Sequence, residues 1–148
     1  PCYYNRMRWG RNRTYLDSTV EPLFPFGFGL SYTTYAYAEP RLARAEIARD
    51  ASTSVSVKVT NTGDRAGEEI VQLYIRDLYA SRNRPVLELK GFRRIHLARG
   101  ETTAVSLDIT PEKLAFWKDG TWVVEPGAFE ILVGPSSVDV QAARLQVV

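Results

Sequence analysis

The chain has 148 residues, 45% apolar and 24% charged, the length and composition of one globular domain able to bury a core. Nineteen basic against seventeen acidic side chains leave a formal charge of +2, too balanced for a dedicated nucleic-acid or membrane-surface binder, so neither partner is expected. A single cysteine, Cys2, excludes an internal disulfide, and with the single histidine, His96, it falls short of the four ligands of a closed zinc site, so no metal or cofactor is expected.

The opening segment is basic and aromatic. Arg6, Arg8, Arg11 and Arg13 stand in the first sixteen residues with no acid among them, and ten of the seventeen aromatic residues fall before residue 38. Gly10, Pro22, Pro25, Gly27 and Gly29 punctuate this stretch, and it has neither a helical nor a strand period, so it reads as irregular backbone lying over a surface. Phe24, Phe26 and Phe28 left in water would form an apolar patch of the kind that marks an interface. No apolar run approaches the roughly 18–20 residues of a membrane-spanning helix, and the start Pro1-Cys2-Tyr3-Tyr4 lacks the order of a signal peptide. The chain therefore reads as soluble, with periplasmic, secreted and cytoplasmic placement in a bacterium all open.

After Ala38 short alternating runs separated by turn residues predict an all-β sandwich. Arg41 to Ala48 is rich in helix formers, but Pro40 and the lack of an apolar stripe favour an edge strand. Val55, Val57 and Val59 alternate with polar residues up to Asn61-Thr62-Gly63-Asp64, where Asn and Gly are expected to supply positive-φ turn positions. Val71, Leu73 and Ile75 oppose Gln72, Tyr74 and Arg76, and Leu87, Leu89, Ile95 and Leu97 continue around Gly91. Beyond the Ala98–Glu101 turn come Val105, Leu107 and Ile109, and Thr110-Pro111-Glu112-Lys113 predicts one hydroxyl-capped helical turn. Asp119-Gly120 signals a hairpin, Glu125-Pro126-Gly127 a further turn, and Gln141–Val148 the last strand.

Motif-borne chemistry is missing. There is no glycine-rich phosphate loop, no Gly-x-Ser-x-Gly elbow and no metal-ligand pair on a helix. His96, beside Ile95 and Leu97 on a strand, reads as an outward polar residue, and Cys2 as a packed or incidental thiol. Glu68, Glu69, Asp64, Asp119 and Glu125 each have a role in a turn or solvated loop, and none sits in an apolar setting that would raise a carboxyl pKa, so no catalytic residue is nominated. Trp117 and Trp122, with the N-terminal tyrosines, are the candidate sugar contacts of an alternative reading, a stand-alone carbohydrate-binding module. Their odd separation on a regular strand would put them on opposite sides, with at least one in the core.

Pro1-Cys2-Tyr3-Tyr4-Asn5-Arg6, Tyr15-Leu16-Asp17 and Pro22-Leu23-Phe24-Pro25-Phe26-Gly27-Phe28-Gly29-Leu30-Ser31-Tyr32-Thr33 together resemble the closing segment of the second domain of glycoside hydrolase family 3 enzymes. Val59 to Glu69, Gln72 to Asp77, Arg84 to Phe92, Leu97 to Thr102 and Trp122 to Phe129 resemble the fibronectin type III-like domain that ends many members. The resemblance implies residues 1–31 as the tail of an α/β domain with its linker, and residues 32–148 as the β-sandwich. It also implies a C-terminal piece of a retaining β-glucosidase- or β-xylosidase-type enzyme whose Asp nucleophile and Glu acid/base lie on domains outside this chain. The expected partners are then the barrel and α/β sandwich domains of the same enzyme, with a β-linked glycoside as substrate of the whole and a homodimer left open. Tyr3, Tyr4, Phe24, Phe26 and Phe28 are the expected domain-interface residues.

Overall fold

A computed structural model describes Tyr4 and residues 22–148. The alternating runs form two packed sheets, as the sequence predicts. In the first, β4 (Thr53–Asn61) is central: β7 (Thr102–Ile109) pairs along its length, while β1 (Tyr35–Tyr37) and β2 (Arg41–Leu42) pair with its two ends. The second has the order β3-β11-β10-β5-β6, built from β3 (Glu46–Ile47), β5 (Gly67–Asp77), β6 (Glu88–Leu97), β10 (Gly127–Gly134) and β11 (Gln141–Val147). A short helix α1 (Pro111–Leu114) precedes a separate hairpin of β8 (Phe116–Lys118) and β9 (Thr121–Val123).

The core lies between the sheets. Val55, Val57 and Val59 meet Val71, Leu73, Ile75, Phe129, Ile131, Val133 and Leu145, all buried, as the two-residue period requires. The helix-rich run Arg41–Ala48 is not a helix. It divides into β2 on one sheet and β3 on the other, so the chain crosses between layers there, and pairing with strand edges overrides local propensity.

Three local expectations are corrected. Thr110 begins α1 without a side-chain cap, and the helix is held instead by Ala115 N–H donating to the Pro111 carbonyl at 2.9 Å. Neither Asn61 nor Gly63 has positive φ. Asn61 is instead a buried polar hub: its Oδ1 accepts from Thr33 Oγ1 at 2.6 Å and Gly63 N–H at 3.1 Å, and its Nδ2 donates to the carbonyls of Arg65 at 2.7 Å and Leu97 at 3.1 Å. Gly63 is needed for space, since a Cβ there would overlap Thr33 Oγ1 and crowd the Thr34 backbone.

The third correction concerns β5. Its even face, Gln72 and Tyr74, is buried as fully as its odd face, because a second apolar cluster lies on the outside of the sheet. Tyr74, Leu87 and Leu132 form that cluster, with Tyr4, Val86, Leu89 and Val140 packed against it. A bulge builds it: Leu73 pairs with Gly91 but Tyr74 with Leu89, so the extra residue Lys90 turns Leu89 outward while Ile95 and Leu97 stay on the core side.

Candidate interdomain surface

The N-terminal arm is clamped to the outer face of the second sheet. Phe28 N–H donates to the Pro25 carbonyl at 3.0 Å, closing a turn in which Gly27 has φ 81°, the position where a type II turn needs glycine. A Cβ on Gly27 would also overlap the Gln72 amide and the Tyr74 hydroxyl. Gln72 Nε2 donates to the Gly27 carbonyl at 3.1 Å and the Pro135 carbonyl at 2.5 Å, and the Tyr74 hydroxyl donates to Gln72 Oε1 at 2.5 Å. Burial, then the nearby Tyr4, pushes the Tyr74 hydroxyl up to about 12, so it stays a donor across the neutral range.

The clamp sorts the arm's aromatics into two sets. Tyr4 stacks on Phe26 with ring centroids 3.9 Å apart and meets Tyr74 edge-on at 6.2 Å, so Tyr4 and Phe26 hold the arm down. Phe24 and Phe28 pair with each other at 5.5 Å and are 68% and 47% exposed against 44% for Phe26, so it is the contacts with Tyr4 and not exposure that separate the sets; the exposed Leu23, Leu30 and Tyr32 flank Phe24 and Phe28. Beside them runs a groove of about 510 Å³ lined by Phe28, Leu30, Ile70, Val138, Glu69 and Asp139 among others. Of the sequence-predicted interface residues, Tyr4, Phe24, Phe26 and Phe28 thus converge on one arm. Tyr3, like Cys2 and Met7, lies outside the described residues. Gln72 and Tyr74, which hold the arm, and the exposed Leu30 and Tyr32 join those four. An aromatic among the outward residues of β5 was the available signal for Tyr74.

The tryptophans sit elsewhere and differently from expectation. Trp117 and Trp122 are directly paired across the β8–β9 hairpin, which puts both on the same side, 58% and 67% exposed, with rings edge-to-face at 5.5 Å. The spacing argument for opposite faces holds along a single strand, whereas a two-residue turn reverses the chain and aligns cross-strand partners. Neither indole is in the core.

A polar network secures that hairpin. Ser81 Oγ and Lys118 Nζ donate to Glu125 Oε1 at 2.6 and 2.7 Å, and Ser81 N–H donates to Oε2 at 3.0 Å. These bonds, Lys118 first, hold the Glu125 carboxyl down at about 2. Arg84, with its side chain nearly buried, donates to Asp77 at 2.9 Å and to the Leu114 carbonyl at 3.1 Å and lies 5.1 Å from the Phe116 ring, on the hidden side of the hairpin.

Of the other acidic side chains singled out from the sequence, Asp64, Asp119 and Glu68 are surface groups and Glu69 is not. Asp64 and Asp119 are exposed partners of Arg99 and Arg82, Glu68 pairs with Arg94, and His96 is exposed on β6 opposite Glu68. Glu69 departs from the expected solvated role. It shares the phase of Val71 and Leu73, and burial, reinforced by the charge of Asp139, raises its carboxyl above the usual range although the Tyr37 hydroxyl donates to it at 2.7 Å. Among the described residues no three His, Cys, Asp or Glu side chains converge as metal ligands.

Comparison with known proteins places this geometry. Residues 69–137 match the family model of the fibronectin type III-like domain. The chain is 48% identical over 131 residues to Beta-glucosidase BoGH3A of Bacteroides ovatus, covering 87% of this chain and 18% of that protein. It is 52% identical over 124 residues to a Beta-xylosidase of Formosa agariphila, covering 83% and 17%. The solved b-glucosidase EmGH1 of Erythrobacter marinus superposes with a TM-score of 0.95 at 46% identity, over 100% of this chain and 20% of that one. The beta-glucosidase of Listeria innocua in complex with glucose superposes with a TM-score of 0.90 at 37% identity, over 99% and 22%. The chain therefore spans about a fifth of the length of these relatives. With its β-sandwich and its clamped aromatic arm, it carries a fibronectin type III-like domain and corresponds to the C-terminal part of glycoside hydrolase family 3 proteins.

Proposed function

We propose that the chain is a non-catalytic brace in a β-glucosidase- or β-xylosidase-type hydrolase, holding the domains that carry the catalytic carboxylates at a fixed separation. Residues 1–31 are then the tail of the preceding α/β domain, and residues 32–148 the sandwich that seats it. One observation carries the reading: the arm is anchored on one side by Gly27, Phe26 and Tyr4, while Phe24, Leu30 and Tyr32 are largely exposed and Phe28 about half exposed beside Phe24. An apolar strip of that kind on a rigidly held segment suits an intramolecular domain contact.

The reading is tested by replacing Phe24 and Phe28 with alanine both in the parent enzyme and in the 148-residue chain. In the parent, kcat should fall roughly 10- to 100-fold, because a displacement of about 1 Å between reacting groups costs on that order. In the chain alone the melting temperature should hardly move, since both rings are exposed there. Unchanged kcat and unchanged stability of the parent would sink the bracing role.

A further inference from the structure

The β8–β9 hairpin carries a feature that bracing does not use. Its turn residues, Asp119 at φ 49° and Gly120 at φ 89°, both adopt the left-handed conformation, the tight geometry that suits the right-handed twist of the flanking strands. Lys118, Glu125 and Ser81 pin its base, Arg84 backs Phe116 on the hidden side, and Trp117 and Trp122 are presented together on the open side. We propose that this hairpin is a carbohydrate-stacking site that takes a pyranose oligosaccharide on Trp117 and Trp122.

Ring geometry favours it. In an edge-to-face pair at 5.5 Å and 74°, the edge-on indole has neither face covered by its partner. An indole face is electron-rich and attracts the polarised C–H groups on the flat side of a sugar ring. Because the rings stand on a pinned two-residue hairpin, little conformational freedom is lost when a ligand settles on them.

Polar groups stand at the turn between the two tryptophan strands. Arg82 Nη2 and Asp119 Oδ1 are 2.5 Å apart at the turn, and both side chains are more than half exposed. Among the described residues that is the one polar contact of either side chain, and the second carboxylate oxygen and the other guanidinium N–H groups can bond vicinal hydroxyls. Size argues against a protein in the same place. Two partly exposed indoles offer a few hundred Å² at most, against the roughly 800 Å² per partner of a stable protein interface. One or two sugar rings match that footprint.

The test uses the 148-residue chain with Trp9→Phe, so that tryptophan emission reports on Trp117 and Trp122 alone, titrated with cellohexaose and with xylohexaose. A saturable emission change with at least one of them, weakened tenfold or more by Trp122→Ala and severalfold by Arg82→Ala, is the expected result. Trp122→Phe, which keeps a ring, should fall between wild type and Trp122→Ala, and circular dichroism checks that each variant stays folded. No saturable change with either oligosaccharide up to about 10 mM, the millimolar range where single weak contacts still register, overturns the site. So does a saturable response that survives Trp117→Ala with Trp122→Ala, or sedimentation showing that Trp122→Ala dissociates a dimer.

Discussion

Asn61 ends β4 with its side chain fully buried, and it meets four partners from three parts of the chain: Thr33, Gly63, Arg65 and Leu97. Asn61→Ala removes all four bonds and strands Thr33 Oγ1 and two carbonyls, so it should cost roughly 3 kcal/mol or more, read as a fall in denaturant midpoint without a change in slope. Glu69 makes the opposite kind of case. Its folded pKa lies above the unfolded value, so the folded state holds the proton more tightly, and stability declines as pH rises from about 4.5 through the folded pKa. Glu69→Gln keeps an acceptor for Tyr37 without the buried charge. It should flatten that decline and raise the melting temperature at pH 7, and an unchanged pH profile would contradict the assignment. Glu125 has the reverse sign: held at about 2, it contributes stability above the unfolded pKa that fades as pH falls from about 4.5 toward 2.

At the level of elements the bulge in β6 decides where apolar side chains go. A strand has period two, so one extra residue exchanges its faces beyond that point. Lys90 is that residue, and through it Leu89 joins Tyr74, Leu87 and Leu132 outside the sheet while Ile95 and Leu97 serve the inner core. Leu87→Ala, which hollows that outer cluster, should destabilise by roughly 2–5 kcal/mol, the range for truncating a buried leucine. Amide exchange should speed up in β5 and β6 before the β4–β7 pair. The alternation of β4, β5 and β7 was legible in the sequence because their inward residues are apolar by the period alone. The bulge was not, since Leu87, Leu89, Ile95 and Leu97 all share one parity and only pairing with β5 shows the slip. The split of Arg41–Ala48 into β2 and β3 escaped propensity for a similar reason: each piece is two residues long and exists only through its neighbour.

Across the whole molecule, the sandwich has two apolar layers, one between the sheets and one beneath the arm. Removing residues 1–31 takes away Tyr4, Phe26 and the Gly27 carbonyl, leaving Gln72 without one acceptor and opening the outer cluster around Tyr74 to water. Such a truncated chain should bind an apolar dye and melt several degrees lower, on the scale of roughly 2–4 °C per kcal/mol for a chain of this size. A truncation that neither binds dye nor loses stability would mean that the arm is not part of the folding unit.

The sequence by itself determined the all-β class, most strand positions, the Asp119-Gly120 hairpin and the aromatic arm as a surface in search of a partner, because periodicity, turn chemistry and composition are local properties. Its resemblance to family 3 glycoside hydrolases rested on local motifs in the same way. Tertiary structure decided which arm aromatics hold and which remain free, that Trp117 and Trp122 stand side by side in water, and that Glu69 is half-buried. The arm contacts and the setting of Glu69 depend on residues far apart in the chain meeting across a sheet, and the tryptophan pair on the cross-strand register of a two-residue turn, neither of which a single-strand period describes.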